Sequence, residues 1–286
     1  MCIKWIRMWF LFFISLHRIA KKTAILCINF IHTIMIQKGD FFTAENKVLH
    51  IPDEEYAQIP LYIESLDAFA RTTFRSIYVI DYFKRNFLYV SDNPLFLCGM
   101  SAEEVRELGY EFYLRHVPED DYRLLLEANR VGFLFVERVP PKHRQEYTFS
   151  CDFHICPPQA KPLLINHKIT PLRLAPDGCI WLTFCIASLS SRATSGHIEV
   201  SRKGYNMRWK YDLDNGRWEE QPAIRLSESE RQTLLLSAQG YTIEQIADRV
   251  SRTPDSVKSY RRKLFEKLEV DNITEAISFA MNEKLI

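Results

Sequence analysis

The sequence predicts an α+β chain: an antiparallel sheet with short helices over residues 48–190, a β-hairpin linker over 191–222, and an all-α four-helix domain over 223–286. Three observations carry this prediction. Apolar and polar residues alternate strictly from Glu146 to Ile155, the period of a strand with one buried face. Asp214-Asn215-Gly216 is a strong hairpin-turn signal between short aromatic runs. From Leu226 onward, four helix starts follow one another, each with a capping residue. A chain of 286 residues, 47% of them hydrophobic, has room for two cores. Its net charge of +1 excludes a generally basic nucleic-acid coat.

Residues 1–38 hold Lys4, Arg7, Arg18, Lys21, Lys22 and Lys38, with no acid before Asp40. The apolar runs Met8–Leu16 and Ala24–Ile36 each fall short of the ~20 residues that span a bilayer. Joining them would bury Arg18, Lys21 and Lys22, at roughly 2.5–3.5 kcal/mol each near the centre. A secretory signal fits the basic start, but no small-x-small cleavage site follows. Two readings stand: a basic membrane-surface anchor, or an upstream stretch with initiation at Met35. The second is preferred.

In the middle region Ser76–Asp81 and Phe87–Val90 are β-rich runs parted by the polar Lys84-Arg85-Asn86, a hairpin signal. Ser101-Ala102-Glu103-Glu104 caps a short helix. After Pro118, residues Tyr122, Leu125 and Leu126 recur at helical spacing over Glu119–Asn129. Tyr147, Phe149, Cys151, Phe153 and Ile155 share one face of the next strand; Thr148, Ser150, Asp152 and His154 share the other. Leu163–Ile169 and Cys179–Ala187 complete three strands, with Ala175-Pro176-Asp177-Gly178 as the turn between the last two.

Strand, strand, short helices, then three antiparallel strands is the order of the PAS fold. Phe87–Asn93, Ser101–Val105, His116–Asp121 and Asp177-Gly178 resemble PAS sequences over about 120 residues. The resemblance implies a domain that senses a small molecule or mediates dimerisation, with no shared catalytic set. A candidate ligand pocket is lined by Tyr147, Phe149, Cys151 and Phe153 with Trp181 and Phe184, although an aromatic stripe at period two is more often plain sheet core. No cofactor is assigned. Haem needs an axial ligand aimed into the pocket, and His116 and His154 are poorly placed for it; Cys98 lacks the surroundings expected for a flavin adduct. The seven cysteines (Cys2, Cys27, Cys98, Cys151, Cys156, Cys179 and Cys185) form no pair at two-residue spacing and no metal quartet, so they read as reduced thiols of a cytoplasmic protein.

In the linker, His197–Val200, Tyr205–Tyr211 and Arg217-Trp218 read as short strands. With three glycines, no serine run and four aromatics, the stretch Gly196–Pro222 is an ordered coupling segment, not a flexible tether.

The C-terminal helices announce themselves. Ser227–Glu230 and Thr242–Gln245 are capping boxes, Thr253-Pro254 places a capping hydroxyl before proline at the first helical position, and Asn272–Glu275 is a fourth start. Stepping round the third helix at 100° per residue puts Val257, Leu264 and Leu268 within about 20° of one line. Lys258, Ser259, Arg262 and Lys263 fall opposite, with Lys267 at the edge. Five cations in ten residues face a single acid, Glu266, whereas residues 222–286 as a whole hold ten Lys+Arg and ten Asp+Glu. The positive charge is thus concentrated where a short helix behind a tight turn enters a major groove.

Leu226-Ser227-x-x-Glu230, Gln239-Gly240, Ile243-x-x-Ile246-Ala247, Ser256–Tyr260 and Lys267–Val270 resemble the LuxR/NarL/GerE helix-turn-helix regulators over about sixty residues. The resemblance implies that the third helix reads the operator and the fourth makes the dimer contact. By position, Lys258, Ser259 and Arg262 face base edges, and Thr253, Arg261, Lys263 and Lys267 face phosphate. Tyr260, also assigned to the interface, stands where the family often has His. Asp271 and Asn272 stand where it often has basic residues. Ile273, Ala276, Ile277 and Ala280 form the stripe assigned to dimerisation.

The function expected is sequence-specific transcription regulation in the cytoplasm. Candidate partners are double-stranded DNA with dyad symmetry, a second copy of the chain, RNA polymerase and a small-molecule ligand. The rival reading is a membrane-associated sensor whose helix-turn-helix is a protein-interaction module. No Gly-rich phosphate loop, Gly-x-Ser-x-Gly or His-Glu-x-x-His points to an enzyme, and no metal site is assigned.

Overall fold

The computed structural model describes residues 38–42 and 46–286. The basic N-terminal segment lies, up to residue 37, outside them. Among the described residues no helix is long and apolar enough to cross a membrane.

The chain enters through two helices that the sequence pattern did not reveal, α1 (Asp53–Ala57) and α2 (Ile59–Ala70). Strands β1 (Ser76–Asp81) and β2 (Asn86–Val90) pair antiparallel. Helices α3 (Pro94–Leu97), α4 (Ala102–Leu108), α5 (Glu111–His116) and α6 (Glu119–Glu137) follow. The capping box at Ser101 is made as expected: its N–H donates to Glu104, and its Oγ accepts from the Glu104 N–H. Helix α6 runs eight residues beyond the predicted end, because Val131, Phe133 and Val136 continue its buried face. Strands β3 (Tyr147–Ile155), β4 (Leu163–Leu174) and β5 (Ile180–Leu189) form an antiparallel meander. Strand β5 returns beside β1, giving the arrangement that the PAS resemblance implies.

The segment read as a hairpin linker continues the same sheet. Strands β6 (Gly196–Arg202), β7 (Met207–Asp212) and β8 (Arg217–Pro222) extend it beyond β3, in the order β2-β1-β5-β4-β3-β6-β7-β8. What fastens them is an aromatic cluster of Phe135, Tyr147, Phe149, Trp209 and Trp218 around buried Val200, together with a Tyr211 hydroxyl donating to Glu127 on α6 (2.9 Å).

Period-two alternation gives the sheet two covered faces. On one, α5 and α6 lie over Cys151, Phe153, Ile165 and His167. On the other, α1 and α2 cover Ile77, Val79, Trp181 and Leu182. Four helices then close the chain: α7 (Glu228–Ala238), α8 (Ile243–Arg249), α9 (Pro254–Leu268) and α10 (Ile273–Asn282). All four caps fall at the residues the sequence names: Ser227, Thr242, Thr253 and Asn272 each accept the backbone N–H three residues on. Their core joins Leu234, Leu264, Leu268, Ala276 and Ala280; Ile246, Ala247 and Val257 seal α8 against α9.

Candidate nucleic-acid interface and ligand cavity

Helix α9 presents the charged face predicted for it. Thr253, Lys258, Arg262 and Lys263 are exposed, Ser259, Tyr260 and Arg261 half-buried, while Val257, Leu264 and Leu268 are wholly buried. The exposed cations are only loosely engaged: Lys258 lies 3.1 Å from Asp255 and Arg262 3.9 Å from Glu266, both pairs in solvent. Such pairs contribute about 0–1 kcal/mol and exchange readily for a phosphate or a base edge.

Lys267 is different. Its Nζ donates to Glu230 Oε2 at 2.5 Å and to the Arg225 carbonyl at 3.1 Å. Glu230 is 4% exposed and closes the α7 capping box with Ser227. Burial pushes its carboxyl up, but the Lys267 ammonium and the Ser227 N–H outweigh this and hold it below the usual carboxylate range. Lys267 therefore ties α9 to the start of α7, a role that the sequence reading missed because the partners lie 37 residues apart.

The stripe assigned to dimerisation divides. Ala276 and Ala280 are fully buried in the domain's own core, and Ile273 and Ile277 pack partly against it.

Between α6 and the sheet lies a largely apolar cavity of about 80 Å³. Of the six pocket residues expected, Phe149 and Cys151 line it. Phe153 is buried one layer away, edge-on to the His167 ring, and Tyr147 belongs to the aromatic cluster under β7. Trp181 and Phe184 face the opposite side, against the α1–α2 layer. Both faces of this sheet are covered, so an apolar residue on β5 does not reveal which side it serves.

The polar groups at the cavity are ones the sequence reading passed over. His167 and Tyr110 line it, each 3% exposed. Burial pulls the His167 imidazole down to about 3, so the ring is neutral. Its Nε2 meets the Tyr78 hydroxyl at 2.5 Å, and that hydroxyl meets Tyr113's at 2.6 Å. Burial holds Tyr78, Tyr110 and Tyr113 well above the normal tyrosine range, so all three keep their protons. His167 Nδ1 has no hydrogen-bond partner, and the Tyr110 hydroxyl has only that of Tyr82 beside it. An unsatisfied buried polar atom costs about 1–3 kcal/mol, which makes His167 Nδ1 the open polar position of an otherwise apolar cavity. A signal existed: in Leu163, Ile165, His167, Ile169 a histidine sits on the apolar face. His116 and His154 are occupied elsewhere, at the Cys156 carbonyl (3.2 Å) and the Asp121 carboxylate (2.7 Å).

A capped four-helix unit that presents a cationic helix behind a tight turn is a helix-turn-helix DNA-binding domain. Residues 225–280 match the bacterial regulatory proteins of the luxR family, so this part of the chain is a LuxR-type helix-turn-helix domain. No curated protein matches the chain. Among solved structures, the response regulator ChrA of a heme-sensing two-component system is 33% identical over 23% of this chain and 33% of its own length, with a TM-score of 0.22. The chain thus spans a third of ChrA. A phage VqmA in complex with DPO is 18% identical over 80% of this chain and 91% of its own, with a TM-score of 0.30. The N-terminal domain of a diguanylate cyclase with PAS/PAC sensor from Marinobacter aquaeolei is 12% identical over 40% and 94%, with a TM-score of 0.30.

Proposed function

We propose that the chain is a cytoplasmic, dimeric transcription regulator that reads a dyad-symmetric operator with α9 and senses a small molecule in its sheet domain. The observation that carries this reading is the uncovered cationic face of α9 within a LuxR-type domain. Lys258, Ser259 and Arg262 approach base edges, Thr253, Arg261 and Lys263 approach phosphate, and Tyr260 belongs to the same interface. Ile273 and Ile277, the half-exposed part of the α10 stripe, contribute to contact with a second subunit, and RNA polymerase is a further partner. The cavity takes a small, uncharged, mostly apolar ligand: its walls are apolar and His167 is neutral. The polar groups of the ligand meet His167 Nδ1 and Tyr110.

The test is a mobility-shift titration of the full chain on a duplex enriched from a random library, repeated over a salt series. Binding should weaken steeply with salt, with a slope of about −0.9 per phosphate neutralised. A duplex preference lost in wild-type protein against random DNA would overturn the assignment. Native mass spectrometry of the purified chain, compared with His167→Phe, reads the ligand. A small adduct lost in the variant supports the cavity, and an equal adduct in both places the ligand elsewhere.

A further inference from the structure

Helix α9 carries an acid at the end that enters the groove. Asp255 lies on its first turn, about 160° round the helix from Val257, and Ser259 and Arg262 follow it at i+4 and i+7. The three make one ridge on the side away from the buried Val257, Leu264 and Leu268. The Asp255 side chain is 89% exposed. It does not cap the helix, because the Ser256 N–H donates to Thr253 Oγ1 (3.2 Å). The first residues of a recognition helix are the ones that reach base edges, and there the phosphates on either side repel a carboxylate. An acid in that place is favourable only against a donor. The major groove offers two, cytosine N4 and adenine N6. Adenine sets its N7 acceptor beside N6, where it repels the second carboxylate oxygen; cytosine presents N4 alone.

Asp255 has a partner of matching geometry. Its Oδ1 accepts from Lys258 Nζ at 3.1 Å, and an ammonium has three donors, so two remain for other acceptors. The Lys258 side chain is itself 59% exposed. The couple therefore offers an acceptor and a donor side by side. A C·G pair offers the reverse, the free N4–H of cytosine next to the O6 and N7 of guanine. N4 and O6 are joined by an N–H···O hydrogen bond and so lie about 2.9 Å apart, close to the spacing of the Asp255–Lys258 couple. Laid edge to edge, the carboxylate accepts from N4 and the ammonium donates to O6, with both inner hydrogen bonds kept. The other charged couple of this face does not match. Arg262 Nε and Glu266 Oε1 are 3.9 Å apart, too far for a hydrogen bond, and Glu266 sits about 16 Å along the helix from Asp255.

We propose that Asp255 and Lys258 read one C·G base pair as a unit, the cytosine through the carboxylate and the guanine through the ammonium, which makes Asp255 a specificity-determining residue. The inference rests on the DNA-binding reading above. An acid in the first turn also suits the positive end of the helix dipole, but that role is blind to sequence. Removing a charge with that role alone would ease repulsion from phosphate and tighten every duplex alike.

The test uses the full chain as wild type, Asp255→Ala, Asp255→Asn and Lys258→Ala, with circular dichroism melts to show each folded. Each base pair of the library-selected half-site is replaced in turn by the other three, and affinities are measured at one salt concentration. Wild type should prefer C·G at one position by about ten-fold. Asp255→Ala and Lys258→Ala should both lose that preference, at the same position, and keep those at the others. Asp255→Asn, nearly the same in shape, should admit A·T there, since an amide pairs with adenine N6 and N7. N4-methylcytosine at that position keeps the Watson–Crick bond and removes the groove-facing N–H; it should weaken wild type about ten-fold and Asp255→Ala by about two-fold or less. Loss at different positions in the two alanine variants overturns the inference, as does uniform tightening by Asp255→Ala with every preference intact; either result leaves the DNA-binding reading standing. A wild-type protein that does not prefer the selected duplex over random DNA overturns both.

Discussion

Lys267 separates a phosphate contact from a structural one. Its ammonium faces a Glu230 side chain that is 6% exposed, while its own side chain is 35% exposed. Removing one partner of a fully buried pair costs about 3–5 kcal/mol. The open side of Lys267 lets solvent screen the pair, and Glu230 keeps the Ser227 N–H at 2.8 Å, so about 2–3 kcal/mol is expected for Lys267→Ala. At 1.4 kcal/mol per decade, that is roughly a 30- to 150-fold rise in the globally opening fraction of α7 and α9 amides, measurable by native-state hydrogen exchange. Glu230→Gln should lose a similar amount, and the double variant much less than the sum. Because the carboxyl is held below its usual range, the stability it lends is present above the unfolded carboxylate pKa, near 4.5, and disappears as pH falls through the lower folded value. DNA binding by the folded variant should keep its salt slope. Unchanged exchange with a slope reduced by about 0.9 would show that Lys267 faces phosphate and that the reasoning from burial is wrong.

Lys258→Ala and Arg262→Ala should each cost about 1–3 kcal/mol of specific binding with circular dichroism unchanged, since their ion pairs are solvent-exposed; undiminished operator affinity would remove α9 from the groove. Ile277→Asp, at a half-buried position on α10, should shift sedimentation towards monomer and weaken the dyad more than the half-site; an unaltered monomer–dimer profile would place the subunit contact elsewhere. Asp152 is 2% exposed, and burial raises its carboxyl from 3.8 to about 6 against the pull of Ser190 and Asn166. The folded state thus holds that proton more tightly than the unfolded state, and stability falls as pH rises from about 4 to 6. Asp152→Asn should recover up to about 3 kcal/mol at pH 8 and nothing at pH 3; a urea midpoint gain independent of pH would show that ionisation is not the cause.

What could be read in the sequence is what is decided within a few residues. The caps at Ser101, Ser227, Thr242, Thr253 and Asn272 are bonds from residue i to i+3, so their signature is contiguous. The charged face of α9 follows from helical geometry alone. Helix α2 escaped because Leu61 and Phe69 are exposed, which blurs the apolar periodicity that marks a buried face, and the short α1 has no buried residue to mark one. The remaining misses are matters of long-range pairing. His167 gains its meaning from Tyr78, 89 residues away, and Lys267 from Glu230. The choice between the two sides of β5 needs a sheet covered on both faces, which alternation on one strand does not declare.

The same alternation relates the cavity to the contact between β4 and the end of α10. On β4, His167 lines the cavity and the next residue, Lys168, holds α10. On β3, Cys151 lines the cavity, and Asp152 lies in a small polar pocket beside Arg192, Asn282 and Glu283. Ser150 borders both spaces. Consecutive strand residues point to opposite faces, so the β3–β4 pair is a wall whose two sides belong to different tasks. A packed interior shifts between discrete arrangements more readily than it deforms by degrees. A ligand drawing on His167 Nδ1 would therefore act on the backbone that places Lys168. Were it to change operator affinity, linkage would make the effect reciprocal: whatever factor the ligand adds to operator affinity, the operator must add to ligand affinity. Measuring ligand affinity with and without the dyad duplex would give that factor from the other side, without any assumption about which strand moves.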